Sequence, residues 1–231
     1  MSSRARHTQG AVALASALAL GAAVGARLAA RRRAQPERAR IDALFDQTGV
    51  GADGAVRSVQ VAELTIDDDA LAELWSPMYL ERLARTYWRF LTRVTLGLVR
   101  VVYTPTERRV VLLVPALRLL TFAAPEYELD SEHGLVRWRI DRGILVARRG
   151  RDAQGRLQIE VERLGAAAEA GRSRLRLTVE VANFYPSIAS AVSTRIYGAT
   201  QSRIHVVVAL GFLRSLVRLD LAPSRVGRFV A

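Results

Sequence analysis

The hydrophobic pattern of the chain changes character three times. Residues 11–30, AVALASALALGAAVGARLAA, are apolar apart from Ser16 and Arg27. A run of that length, at about 1.5 Å per residue, reaches across a ~30 Å hydrocarbon core, so it predicts an N-terminal transmembrane helix. Beyond it the pattern shortens into alternating segments typical of strands, broken by one helical stretch. Near the C-terminus it becomes apolar at helical spacing again. A short helix is expected over 39–46 and a glycine-rich linker over 48–54, TGVGADG. VRSVQVAELTI (56–66) alternates as a strand. Asp67 is placed to cap a helix over DDDALAELW, with Asp68 and Asp69 on its positive end. Ser76 and Pro77 then start a second helix running to about Gly97. Leu80, Leu83, Tyr87, Phe90, Leu91 and Val94 form its apolar face, and Arg82, Arg85, Arg89 and Arg93 an opposite, solvated one.

A strand series follows. VRVVY (99–103) and RRVVLLVP (108–115) flank a turn, and the apolar stretch 110–120 reads as a strand buried on both faces. EYELDSEHGLVRWRID reads as two strands joined by a turn at 132–134. In the second, Val136, Trp138 and Ile140 alternate with Arg137 and Arg139, a half-buried pattern that makes Trp138 a candidate ligand contact. GILVARR (143–149), RLQIEVERL and LRLTVEVANF complete the strands. Pro186 opens a long helix to about Leu219, with Ile188, Val192, Ile196, Thr200, Ile204, Val207 and Gly211 on one face.

This order is strand, two helices, about six strands, long C-terminal helix. It resembles the START-like, helix-grip superfamily (the Bet v 1 and polyketide-cyclase group) over roughly residues 56–220. The resemblance rests on the order of elements. The second helix is long for the short helix pair usual there. It implies an α+β fold in which a curved antiparallel sheet of about seven strands packs on the C-terminal helix. It also implies a cavity between them for lipids, hormones or other apolar ligands, and it carries over no catalytic residue. The expected organisation is a membrane anchor and basic segment (1–40), a linker (41–55), the helix-grip-like domain (56–220) and a tail (221–231).

Charge sharpens the reading of the head. The net charge is +12, every basic residue is arginine, and residues 1–40 hold eight arginines against one acid. Arg31, Arg32 and Arg33 follow the apolar run, whereas only Arg4, Arg6 and His7 precede it. By the positive-inside rule the C-terminal domain then lies in the cytoplasm. The three arginines meet the headgroups, each worth about 1 kcal/mol on anionic lipid. The expected location is the cell membrane, single-pass. A cleaved signal peptide ending near Ala22 to Ala26 and an unstructured alanine-rich tail are competing readings.

Candidate chemistry is sparse. The absence of cysteine excludes disulfides and thiolate sites, and His7, His133 and His205 have no partners at metal-ligand spacing. Neither a metal nor a cofactor is expected. Gly49, Gly51 and Gly54 spell GxGxxG, but a helical pattern precedes them and a strand follows, the reverse of a dinucleotide site. His133 reads as a turn residue. Glu126, Glu128, Asp130 and Glu132 form an alternating acidic row, placed to face Arg137 or Arg139. No GxSxG elbow occurs, and Ser202 near His205 lacks an orienting acid. YWRF (87–90) is the only aromatic–basic cluster, which argues against nucleic acid. Tyr197, Gln201 and His205 recur every four residues and share a stripe at the margin of the C-terminal helix's buried face. They are the candidate polar contacts of any cavity beneath it. The expected function is a membrane-anchored module binding a lipid or other apolar small molecule without chemistry. The alternatives are a cavity enzyme with Tyr197 and His205 as acid–base groups, and a membrane-tethered protein-interaction scaffold.

Overall fold

The computed structural model describes residues 38–150, 154–186, 208–214, 216 and 221–223. The expected membrane span, Arg31 to Arg33, and Tyr197, Gln201 and His205 lie outside the described residues. Among those described, no helix is long and apolar enough to cross a membrane.

The chain enters the sheet earlier than the sequence pattern indicates. Residues 39–46, expected as a helix, and 41–55, expected as a linker, form strand β1 (Ala39–Val50) and its hairpin turn to β2 (Val56–Asp67). The two pair antiparallel from Ala39 opposite Ile66 to Val50 opposite Val56, with an irregularity between Ile41 and Ala43. That bulge gives the strand a helix-like spacing. Ile41 and Leu44 are three apart, a helical interval, yet the extra residue at Asp42 turns both toward the core. The GxGxxG glycines lie at the end of β1 and in this turn, where Gly54 takes a φ of 79°.

After β2 come α1 (Asp68–Leu74) and α2 (Pro77–Val94). Asp67 occupies the cap position of α1 but makes no side-chain cap bond; its carboxylate instead pairs with Arg172 at 3.0 Å. Ser76 caps α2 as expected, its Oγ accepting from the Tyr79 N–H at 3.2 Å, with Pro77 in the first turn. The remaining strands are β3 (Val99–Tyr103), β4 (Glu107–Leu112), β5 (Arg118–Ala123), β6 (Glu126–Leu129), β7 (His133–Arg142), β8 (Arg156–Ala166) and β9 (Arg172–Phe184). They form an antiparallel sheet in the order β1-β2-β9-β8-β7-β5-β4-β3, with β6 paired to β7 outside that path.

Among the described residues, nine strands thus stand where about seven were expected. The expected doubly buried strand over 110–120 is two strands. It breaks at a loop containing Pro115, which cannot donate to a ladder, and Leu113 there takes a φ of 60°. GILVARR is not a strand: Gly143 takes a φ of 145°, Val146 makes a single bridge to Pro186, and Arg148–Gly150 is a 3-10 turn. The φ of Gly143 suits glycine alone, and a Cβ there would run into the Leu119 carbonyl oxygen.

Among the described residues α1 touches β2 and β9, and the longer α2 lies against β3, β6 and β7. Tyr87 and Trp88 are adjacent yet both buried, because α2 is covered on two sides. Trp88 turns to the sheet, 5.3 Å from the rings of Phe122 and Trp138. Tyr87 meets Phe212 at 5.4 Å, on the helical residues 208–214. Residues 221–222, expected to begin a tail, dock on α2: the Ala222 N–H donates to Thr86 Oγ1 at 2.8 Å, and Arg82 Nε donates to the Ala222 carbonyl at 3.2 Å. The arginine row of α2 is therefore not simply a solvated face. Arg82 holds the C-terminal residues, and Arg85 stacks over the Tyr103 ring at 5.3 Å.

Candidate functional site

Between α2 and the sheet lies a cavity of about 540 Å³, within the ~300–1,000 Å³ range of small-molecule pockets. Its wall draws on β1 and β2 (Thr48, Val50, Val56, Ser58), on β9 and β8 (Val181, Phe184, Leu157), on β5 and β4 (Leu120, Phe122, Val110), and on Val99 of β3. Strands from both ends of the eight-strand path therefore touch one small space. In a flat sheet those end strands would stand about 34 Å apart. The sheet is curled, and the cavity lies inside the curl. Tyr87, Trp88 and Leu91 of α2 and Thr95 at its C-terminal cap close it, together with Val208.

The wall is overwhelmingly apolar. Thr95 spends its hydroxyl on the Leu91 carbonyl at 2.9 Å and accepts from the Val99 N–H at 3.2 Å. Trp88 Nε1 is buried with no hydrogen-bond partner among the described residues. Tyr87 is the only titratable side chain among the described lining residues, and burial pushes its phenol well above the ordinary tyrosine value. It stays protonated at neutral pH and can act there as a hydrogen-bonding group, not as a base.

The exception is one polar cluster on the inward phase of β1 and β2. Gln60 Nε2 donates to Asp46 Oδ1 at 2.7 Å and to Ser58 Oγ at 2.9 Å. Thr48 Oγ1 and Ser58 Oγ share a hydrogen bond of 2.8 Å. Gln60 is fully buried, while Asp46 and Thr48 are exposed, so the cluster marks an open end of the cavity. None of these four stood out in the reading of motifs. A signal was available: Ser58 and Gln60 fall in the same strand phase as Ala62, Leu64 and Ile66, all buried.

Of the expected contacts, Trp138 is 1 % exposed and sits behind the wall, packed on Trp88; it supports the cavity surface without forming it. His133 opens β7, away from the cavity, and its Nε2 lies 2.8 Å from Glu160 Oε1. The acidic row does face arginine: Glu126 pairs in register with Arg137, and Glu128 lies 3.8 Å from it. No cluster of metal-ligating side chains occurs among the described residues.

Three loops at the same end of the sheet present apolar side chains to solvent. Leu96 and Leu98 follow α2, Leu113, Val114 and Leu117 join β4 to β5, and Ile144 follows β7; all are exposed. The Leu113 N–H donates to the Leu98 carbonyl at 2.8 Å and the Ile144 N–H to the Arg118 carbonyl at 3.0 Å. These bonds hold the loops together. Arg93, Arg100 and Arg118 are exposed among them.

No family model matches the chain, and no curated protein matches it. Among solved structures, it is similar to a conserved protein from Geobacillus kaustophilus at 10% identity, covering 72% of this chain and 97% of that one, with a TM-score of 0.35. It is also similar to norcoclaurine synthase from Thalictrum flavum at 15% identity, 68% and 87% coverage and a TM-score of 0.30. Human STARD10 matches at 8% identity, 74% and 75% coverage and a TM-score of 0.24. Likeness at that level leaves the function of this chain to be argued from its own cavity.

Proposed function

We propose that the protein binds a lipid or another apolar small molecule in the curl of its sheet, without chemistry, and does so at a membrane. The observation that carries this reading is the cavity itself. An apolar space of about 540 Å³ is an unfavourable place for water, which needs polar partners, and a favourable one for a hydrocarbon body. The polar cluster and the exposed Thr48 give it an open end. Acid–base catalysis would have to come from residues beyond the described wall, such as Tyr197 and His205.

The membrane half of the proposal has separate supports. The apolar run 11–30 followed by Arg31, Arg32 and Arg33 is a single-pass anchor by pattern, with the domain on the cytoplasmic side. The joined apolar loops, with Arg93, Arg100 and Arg118 among them, suit an anionic lipid surface. An anchored protein would meet its ligand where that ligand is concentrated.

Native mass spectrometry of the full-length protein purified from its own host tests the binding. The expected result is a co-purifying apolar mass that organic extraction removes. A ligand-free mass in repeated preparations, with no thermal shift on adding lipids, would refute it. Carbonate washing tests the anchor separately: full-length protein should stay with the membrane and be released when residues 1–34 are deleted.

A further inference from the structure

The cluster of Asp46, Thr48, Ser58 and Gln60 has a direction. Thr48 and Ser58 lie on the cavity wall. Gln60 spends both N–H groups, on Asp46 Oδ1 at 2.7 Å and Ser58 Oγ at 2.9 Å. A carboxylate only accepts, and this fixes which end of the amide is nitrogen. Thr48 Oγ1 donates to Asp46 Oδ1 at 3.2 Å, a charge-assisted bond, so Ser58 supplies the hydrogen of the 2.8 Å bond between the two hydroxyls. Every side-chain hydrogen of the four is thus turned toward Asp46 or toward one another. What remains is acceptor capacity: the unused lone pairs of Thr48 and Ser58 on the wall and of the exposed Asp46 beside them, while Gln60 Oε1, buried off the wall, has no partner among the described residues.

We infer that this end of the cavity takes the hydrogen-bond-donating end of an amphiphile, a hydroxyl or an ammonium group on an apolar body, and turns away carboxylate and phosphate ends. The inference rests on the proposal that the cavity holds an apolar ligand. A hydroxyl supplies the hydrogen that the cluster lacks. An ammonium group supplies it together with a charge opposite to that of Asp46. A carboxylate brings only more lone pairs and a like charge into a site with low-dielectric walls, where both are costly.

Tryptophan quenching reads this out, because Trp88 lies on the wall and a bromine atom at the far end of a bound chain quenches it on contact. The full-length protein at neutral pH is titrated with 12-bromododecanol, 12-bromododecylamine and 12-bromododecanoate. The alcohol and the amine should quench half-maximally at concentrations roughly ten-fold below the acid, the scale of one charge-assisted hydrogen bond gained or lost. In Asp46→Asn, which is exposed and replaces an acceptor with a donor, the gap should shrink to about three-fold or less. Thr48→Val should narrow it as well while leaving the apolar wall intact. Comparing each variant with wild type cancels differences in how the three probes partition. Equal quenching by all three in the wild type, or a preference for the acid, would overturn the donor-seeking site while leaving the cavity reading in place. A gap unchanged in both variants would overturn the role of these residues. Quenching by none would defeat the ligand-binding proposal and this inference with it.

Discussion

Asp42 sits at the bulge that brings β1 into the sheet, and its ionisation is coupled to that edge. Burial works against its charge, but the Thr65 hydroxyl at 2.6 Å and the Arg40 guanidinium at 2.8 Å outweigh it and hold its carboxyl below the usual aspartate value of 3.8. A depressed folded value means that the contribution is fully present above 3.8 and is lost as pH falls through the folded value. Asp42→Asn should therefore lower the melting temperature at neutral pH, and the gap to wild type should close below about pH 4. Thermal melts of both proteins across that range check this; a gap independent of pH would contradict it. Gly143 makes a second prediction. A Cβ there meets the Leu119 and Leu120 backbone, and the positive φ penalises any L side chain, so Gly143→Ala should cost about 1–3 kcal/mol in denaturant unfolding. Residue identity was partly legible in the sequence. Trp138 was correctly read as inward-facing. Its place behind the cavity wall depends on Trp88, one turn-mate of Tyr87 that the apolar stripe of α2 does not include, and no single-element pattern shows which of two inward rings reaches the cavity.

Among the elements, α2 was legible because its start is written locally: Ser76 accepts from the third helical N–H, and Pro77 follows at once. Its end and its surroundings were not. The arginine row reads as solvated until the C-terminal residues dock beside it, and that docking is a contact between positions far apart in sequence. Thr86 is its pivot, since its hydroxyl donates to the Arg82 carbonyl at 2.7 Å and accepts from the Ala222 N–H at 2.8 Å. Thr86→Val keeps the shape and leaves that N–H buried without a partner, at a cost of about 1–3 kcal/mol. Amide hydrogen exchange near Ala222 should quicken with it. Unchanged exchange would mean that the C-terminal residues do not depend on this contact. β1 escaped the sequence reading for an opposite reason: a bulge gives a strand a helix-like interval at Ile41 and Leu44. The stretch 110–120 escaped because an apolar run does not reveal a turn. Pro115 was the available mark, and it argues against a continuous central strand.

At the scale of the whole molecule, the strand at residue 56, the helix pair and the antiparallel strands after it were legible, and with them the α+β class, although 110–120 holds two strands and 143–149 none. The curl was expected from the resemblance alone and is written in no residue pattern, since it follows from how eight paired strands accumulate twist and bulges. The cavity exists only because of it: Thr48 and Val50 near one end of the strand path and Val99 at the other line the same space. Whether this space holds an apolar ligand is tested most directly by filling it. Val110 and Val181 lie on the wall of two different strands, and phenylalanine at both would occupy part of the space without introducing polarity. The decisive measurement is the 12-bromododecanol quenching titration of the Val110→Phe, Val181→Phe double variant against wild type, with the melting temperature recorded alongside. Half-maximal quenching should move to a roughly ten-fold or higher concentration, the scale of losing a few buried methylenes of contact, while the melting temperature holds or rises. Uptake unchanged in a variant that melts as wild type does would place the ligand elsewhere and contradict the account.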